Sequence, residues 1–308
     1  MNPSLMGYET AVLERLDPAR RRAAADELLA LEATVQGAPA LRAALTDTAV
    51  TAVARRGVME DVLRGKVSAE AARIAAFAAF AAPAPDVPIA LTDAALRAAA
   101  AADADGELDE PALSVTGSRA RVGGYAACVF EELPTEALDG VEDDLFRWAL
   151  TVSASPELRR AITNRDLPAP ARAEIVVGLL AGRASEVTVR LARYAVVGGR
   201  PRDLLGTLDW LVDRVAEERG WRVARVRAAR AIDEEAGDRL SATLRGLVGR
   251  PVELQVEPRP ELLGGVVVEV GDLRVDATVR GRLDALAEAL RAGRSDGAGA
   301  TTATQGAS

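Results

Sequence analysis

The chain has 308 residues and a net charge of −8; 49% of it is hydrophobic but only 3% aromatic, with one cysteine and no histidine. The length predicts more than one domain, and the negative balance argues against a nucleic-acid backbone as partner. The missing histidines exclude His-dependent triads and the common His-containing zinc sites, and the lone Cys128 permits no intrachain disulfide, which fits a reducing compartment.

Alanine supplies much of the apolar content. It forms helices well and fills little volume, so thin, closely packed helices are expected. The first 80 residues read as helices, with "DELLALEATVQ" opening at Asp26 and "EAARIAAFAAF" both carrying apolar residues at helical spacing. "APAPDVP" (Ala82 to Pro88) breaks the pattern, and "IALTDAALRAAAAAD" is a further helix. The polar, turn-rich stretch 104–123 reads as a linker, and helices resume at Tyr125. Leu145, Trp148, Ala149 and Val152 form one apolar stripe; Val187, Leu191, Tyr194 and Ala195 form a second; Leu204, Leu208, Leu211, Val212 and Val215 form a third.

After Gly220 the period changes from helical to alternating. In "WRVARVRAA", Ala224, Val226 and Ala228 face one way and Arg225 and Arg227 the other, as in a strand with one wet face. "DEEAGDRLSATLRGLVG" is a helix with Asp233 at its N-cap and Gly249 near its end. "VELQV" and "VVVEV" alternate again, then Gly271-Asp272 offers a type II′ turn into "LRVDA". Asp276 or Thr278 can cap a closing helix striped by Leu283, Leu286, Ala287 and Leu290, and the small polar residues 291–308 predict a disordered tail. The longest apolar run, Ile74 to Pro83, is far short of the ~20 residues a bilayer requires. "MNPSLMGYETAV" lacks the basic flank and apolar run of a signal peptide, so a soluble chain is expected.

The helical part is duplicated. "GYETAVLERL" (Gly7 to Leu16) lies over "GYAACVFEEL" (Gly124 to Leu133) at a shift of 117, and the match continues without a gap. Between residues 7–77 and 124–194, 22 of 71 positions are identical, among them Gly7/Gly124, Tyr8/Tyr125, Pro39/Pro156 and Gly65/Gly182. The expected fold is therefore mainly α: two tandem helical bundles (1–103 and 124–219) joined by the linker 104–123, then a small α/β C-terminal domain (220–290) that is not repeated.

Candidate chemistry is sparse. "DADGELDE" resembles a calcium loop, but Ala101 and Ala112 stand where the first and twelfth ligands belong, so a solvated acidic linker is the better reading. "LLGG" and "VGGY" lack phosphate-loop spacing. Cys128 reads as a buried thiol with no histidine to activate it. Arg225 and Arg227, with Arg222 and Arg230 nearby, read as a solvated strand face or, more sharply, as a dock for an acidic partner. No cofactor or metal is expected.

"PELLGGVVVEVGDLRVDATVRGRLDAL" resembles the C-terminal signature of the delta subunit of F-type ATP synthases, whose mitochondrial relative is the oligomycin-sensitivity-conferring protein. The matching residues are Leu262, Leu263, Gly264, Gly265, Gly271, Asp272, Asp276, Arg280, Gly281 and Leu283. "GYAACVFEEL" resembles that family's first helix, "SPELRRAITN" its mid-domain element, and "LARYAVVGGRPRDLLGTLDWLVDRVAEERG" its last helices. Ala277-Thr278 departs from the Gly-Ser that often follows the aspartate. The extra helical copy resembles actinobacterial chains in which a membrane-anchored stalk subunit is fused to delta, although no segment here is apolar enough to be that anchor.

The resemblance implies a non-catalytic stator. It would link the catalytic head to the peripheral stalk at the cytoplasmic face of the plasma membrane and resist rotation during proton-driven ATP synthesis. It implies that N-terminal helices of alpha subunits enter a groove between the first and fifth helices of the bundle, and that the C-terminal domain holds the ends of b subunits. Transferred by position, the groove residues are Tyr125, Val129 and Phe130 on the first helix and Val189, Ala192, Arg193 and Val196 on the fifth. The signature glycines and Asp276 would be structural. In the first copy Phe130, Val189 and Arg193 are replaced by Leu13, Ala72 and Ala76. An adaptor reusing the fold away from the synthase is the alternative reading.

Overall fold

The computed structural model describes residues 1–103, 110–134, 136–219, 222–230, 232–248, 252–262, 265–270 and 273–276. The fold is mainly helical with a small α/β region, in two compact units, Met1–Val215 and Ala216–Ser308.

The first unit holds both helical copies. The first copy comprises α1 (Pro3–Leu13), α2 (Pro18–Gly37), α3 (Pro39–Thr46), α4 (Ala52–Leu63), α5 (Ala69–Ala81), a 3-10 turn (Ala84–Asp86) and α6 (Val87–Asp103). The second comprises α7 (Val115–Phe130), α8 (Ala137–Ala154), α9 (Pro156–Thr163), α10 (Ala169–Leu180), α11 (Glu186–Val197), a 3-10 turn (Pro201–Asp203) and α12 (Leu204–Glu218). Both ends of α3 and α4, and of the first 3-10 turn, recur 117 residues later in α9, α10 and the second turn.

Local chemistry explains the correspondence. Ser68 and Ser185 cap α5 and α11 by accepting from the N–H groups of Ala71 and Thr188 at 3.2 and 3.1 Å. Each serine's own N–H is held by a carboxylate on the second helix of its copy, Glu27 at 3.0 Å and Asp144 at 2.8 Å. Gly65 and Gly182, both at φ +70°, follow the C-termini of α4 and α10, where a side chain would strain the left-handed turn.

Two helix starts differ from the sequence reading. The second helix begins at Pro18 rather than Asp26, because Asp17 accepts from the Arg20 N–H at 2.8 Å and Pro18 takes the first helical position. The stretch 104–123 is not all linker: α7 begins at Val115, capped by Ser114 accepting from the Gly117 N–H at 3.1 Å. Thr116, Gly117, Gly123 and Gly124 argue locally for a turn, but packing overrides propensity. Gly123 lies under the Trp210 ring, where an added Cβ would come within 2.5 Å of it.

In the second unit, β1 (Arg222–Ala228), α13 (Glu234–Val248), β2 (Val252–Pro258), β3 (Val266–Val270) and β4 (Leu273–Asp276) form a four-stranded sheet in the order β2-β1-β3-β4. β1 and β2 are parallel, from Arg222 opposite Val252 to Ala228 opposite Pro258, and α13 is the crossover that a parallel pair requires. β3 runs antiparallel to β1, and β4 antiparallel to β3 with Val270 opposite Leu273. Asp233 caps α13 by accepting from the Ala236 N–H at 2.7 Å, as expected. Ala224, Val226, Leu244, Val252, Val268 and Val270 form the core. The face of β1 read as a dock for an acidic partner is answered within the chain at one position. There, Arg227 donates from both terminal nitrogens to Glu269, at 3.2 and 3.1 Å.

Candidate functional site

The site implied by the resemblance lies where the two copies meet. Their first helices, α1 and α7, cross in direct contact, and the small residues at positions 7 and 124 make the approach possible. An added Cβ on Gly7 would lie 1.8 Å from the Arg121 carbonyl oxygen, and one on Gly124 would lie 1.7 Å from that of Ser4. Positions 4 and 121 are themselves equivalent, so the crossing has an approximate internal two-fold.

The polar contacts obey the same relation. Tyr8 donates its hydroxyl to Glu131 and Tyr125 donates to Glu14, each at 2.5 Å. Behind them, Tyr8 stacks on Phe77 at 4.0 Å and Tyr125 on Tyr194 at 3.9 Å. Burial first, then the neighbouring glutamate, pushes both tyrosine hydroxyls far above their usual range. Glu14 also accepts from Arg190 at 3.1 Å and Arg193 at 2.5 Å; Glu131 accepts from Arg73 at 3.4 Å and Arg56 at 2.8 Å. Arg73 also reaches the Cys128 carbonyl at 3.1 Å, and burial pushes the Cys128 thiol up to about 12. The thiol is buried, as its sequence context implies. Arg15 and Glu132 pair at 2.5 Å across the same crossing.

A second cluster ties the copies together beside this one. Glu110, just before α7, is gripped by Arg97 of the first copy at 3.1 Å and Arg121 of the second at 2.9 Å, and accepts from Tyr194 at 3.0 Å. Thr10 donates to it at 3.1 Å. Nothing in the sequence marks Glu110, which reads as one more acid of the linker; only Arg97, isolated in the alanine run of α6, hints at a buried acidic partner.

The seven expected groove residues therefore stand as follows. Tyr125, Val129, Phe130, Ala192 and Val196 are buried, all at 4% exposure or less, and the end of α1 closes over Tyr125 through Glu14. Val189 and Arg193 are half-buried on α11. Five of the seven positions on α7 and α11 are thus core and two are accessible surface. Of the signature, Gly265 has φ +83° at the entry to β3, and Asp276 pairs with Val267 at the end of β4. Leu263, Gly264, Gly271, Asp272, Arg280, Gly281 and Leu283 lie outside the described residues. So do most of the calcium-like stretch, the closing helix and the tail.

Among the described residues, no helix is long and apolar enough to cross a membrane. The family model described as "ATP synthase delta (OSCP) subunit" matches residues 122–290, which begin inside α7 and leave out the first copy. Proteins named "ATP synthase subunit delta" are similar over nearly the whole chain. That of Parafrankia sp. (strain EAN1pec) is 35% identical over 273 residues, covering 89% of this chain and 88% of its own length. That of Salinispora arenicola (strain CNS-205) is 33% identical over 285 residues, covering 91% and 92%. That of Nocardia farcinica (strain IFM 10152) is 33% identical over 264 residues, covering 86% and 88%. These relatives extend across both helical copies, so the doubled bundle is shared with them. The chain belongs to the ATP synthase delta (OSCP) subunit family, the non-catalytic peripheral-stalk subunits of F-type ATP synthases.

Proposed function

We propose that the helical unit binds N-terminal helices of the synthase alpha subunits and that the α/β unit binds the C-terminal ends of b subunits, at the cytoplasmic face of the plasma membrane. Family membership is the observation that carries this reading. An incoming amphipathic helix would use apolar anchors at i, i+3, i+4 and i+7. On the second copy it would meet Val189 and Arg193, the accessible members of the expected groove. The buried members would hold α11 in place from behind. Stiffness supports a stator role: both copies belong to one compact unit, locked by the crossing of α1 and α7.

Calorimetric titration of the full chain with a synthetic peptide from the alpha-subunit N-terminus tests the proposal. One site per chain is expected. Val189→Asp, which puts a charge on the half-buried contact without entering the core, should weaken binding about tenfold, ~1.4 kcal/mol. Undiminished affinity in that variant would remove α11 from the site. No heat with the native chain would turn attention to the adaptor reading.

A further inference from the structure

The duplication offers an internal reference for reading what the second copy has changed. Arg55 and Arg172 occupy equivalent positions and are equally buried, at 6% and 7% exposure. Arg55 is fully employed: Nε donates to the Ala79 carbonyl at 3.0 Å, Nη1 to Val50 at 2.8 Å and Nη2 to Ala82 at 3.1 Å. Arg172 is not. Its Nη1 reaches the Ile162 carbonyl at 3.5 Å, the outer limit of a hydrogen bond, and its Nε has no partner. Burial accordingly pushes the Arg172 guanidinium below its usual value. A buried guanidinium is costly unless an acceptor completes it.

The helix that carries it differs as well. In the first copy Thr51 caps α4 by accepting from the Ala54 N–H at 3.2 Å. The equivalent position before α10 is Pro168, which provides no side-chain cap. Pro170 carries no N–H, so the amides of Ala169 and Ala171 are those left without a side-chain acceptor at the positive end of the helix dipole.

Both features line one cavity of about 850 Å³, bordered by Ala169, Pro170, Arg172 and Ala173 of α10 and by Arg165, Arg200 and Arg202 of the flanking loops. Those last three arginines are exposed and form no ion pair among the described residues. The first copy has none of them: Thr48, Pro83 and Pro85 stand at the equivalent positions. Glu14 and Glu110 also line the cavity, but each is already paired, with Arg193 and Arg121 respectively. Glu174 is exposed.

We infer that the second copy holds an oxyanion site here, built to take a phosphate-type group between the N-terminus of α10 and the Arg172 guanidinium. A tetrahedral oxyanion can accept from helix N–H groups and a guanidinium fork at once. Arg165, Arg200 and Arg202 would raise its local concentration and bind it at the mouth.

The test is titration of the full chain with inorganic phosphate at constant ionic strength, using chloride as the balancing salt and following binding heat and melting temperature. Saturable binding at one site is expected, with a loss of tenfold or more in Arg172→Gln. Arg55→Gln, the same substitution in the first copy, should leave phosphate affinity unchanged whatever it does to stability. Arg165→Ala/Arg202→Ala, confined to exposed side chains, should weaken binding several-fold and decides the matter should Arg172→Gln fail to fold. No effect beyond that of chloride, or equal affinity in native, Arg172→Gln and double-variant chains, would overturn the site. Sodium acetate binding more tightly than phosphate would overturn the phosphate assignment and point to a carboxylate.

Discussion

Glu9 is fully buried in α1, with neither carboxylate oxygen hydrogen-bonded and Arg97 Nε 3.6 Å away. Burial raises its pKa from 4.5 to about 8 against the attraction of Arg97, helped by Asp93 and Glu110. The folded chain therefore keeps a proton that the unfolded chain releases, and the stability this gives is fully present below 4.5 and is lost as pH rises to about 8. Urea midpoints should fall across that window. In Glu9→Gln, which keeps the shape without the ionisation, most of that slope should vanish, a difference on the order of 3 kcal/mol between ~pH 5 and ~pH 8.5. An unchanged slope would show that another group governs it. At this scale the sequence is least informative. Glu9 sits among apolar neighbours and Glu110 among acids, and no spacing distinguishes a carboxylate that folding will bury from one that stays in water.

Elements were more legible, in proportion to how far their signals are local. The stripes of α8, α11 and α12, the alternation of β1 and the cap at Asp233 act within a few residues, and they place those elements well. The starts of α2 and α7 precede the apolar spacing, because an Asp-Pro cap opens the one and glycines interrupt the pattern of the other. The glycines that make α7 look like a turn are those that let it touch α1 and Trp210. Gly7→Ala and Gly124→Ala are good helix-forming changes in isolation, worth ~1 kcal/mol in favour of each helix. Here each should instead destabilise by about 3 kcal/mol, because a methyl group would overlap a backbone carbonyl that cannot swing away. Chemical denaturation of the two single variants checks this, and stabilisation by either would contradict the close crossing. The candidate groove shows how far such a signal reaches. An apolar stripe says only that something covers it, and five of the seven positions are buried within the chain itself, Tyr125 between Tyr194 of its own copy and Glu14 of the other.

At the scale of the molecule, the duplication was visible in one register of identities, but its outcome was not. Similarity over a shift of 117 says that a fold occurs twice; it does not say that the two share one interior. Glu110 is the group in which this joining is most concentrated, since it is gripped by arginines of both copies. Removing it would take a carboxylate partner from two buried guanidinium groups, Arg97 and Arg121. Glu110→Ala should cost roughly 3 kcal/mol, and calorimetry should then show the helical unit melting earlier or in two steps. A melting profile identical to the native one would mean that the ion pairs contribute little.

The pair of Arg15 and Glu132 has a further consequence. The two residues are the same position of the repeat, 117 apart, and they meet on its approximate two-fold. In a dimer of identical bundles such a position would face its own copy, and any charge there would meet its like. Encoding both bundles in one polypeptide lifts that constraint: each half evolves a different answer at a shared locus, and repulsion becomes attraction. The pairing also becomes independent of dilution, since the tether sets the local concentration of one half around the other. A tandem gene can thus specialise one face without disturbing its twin.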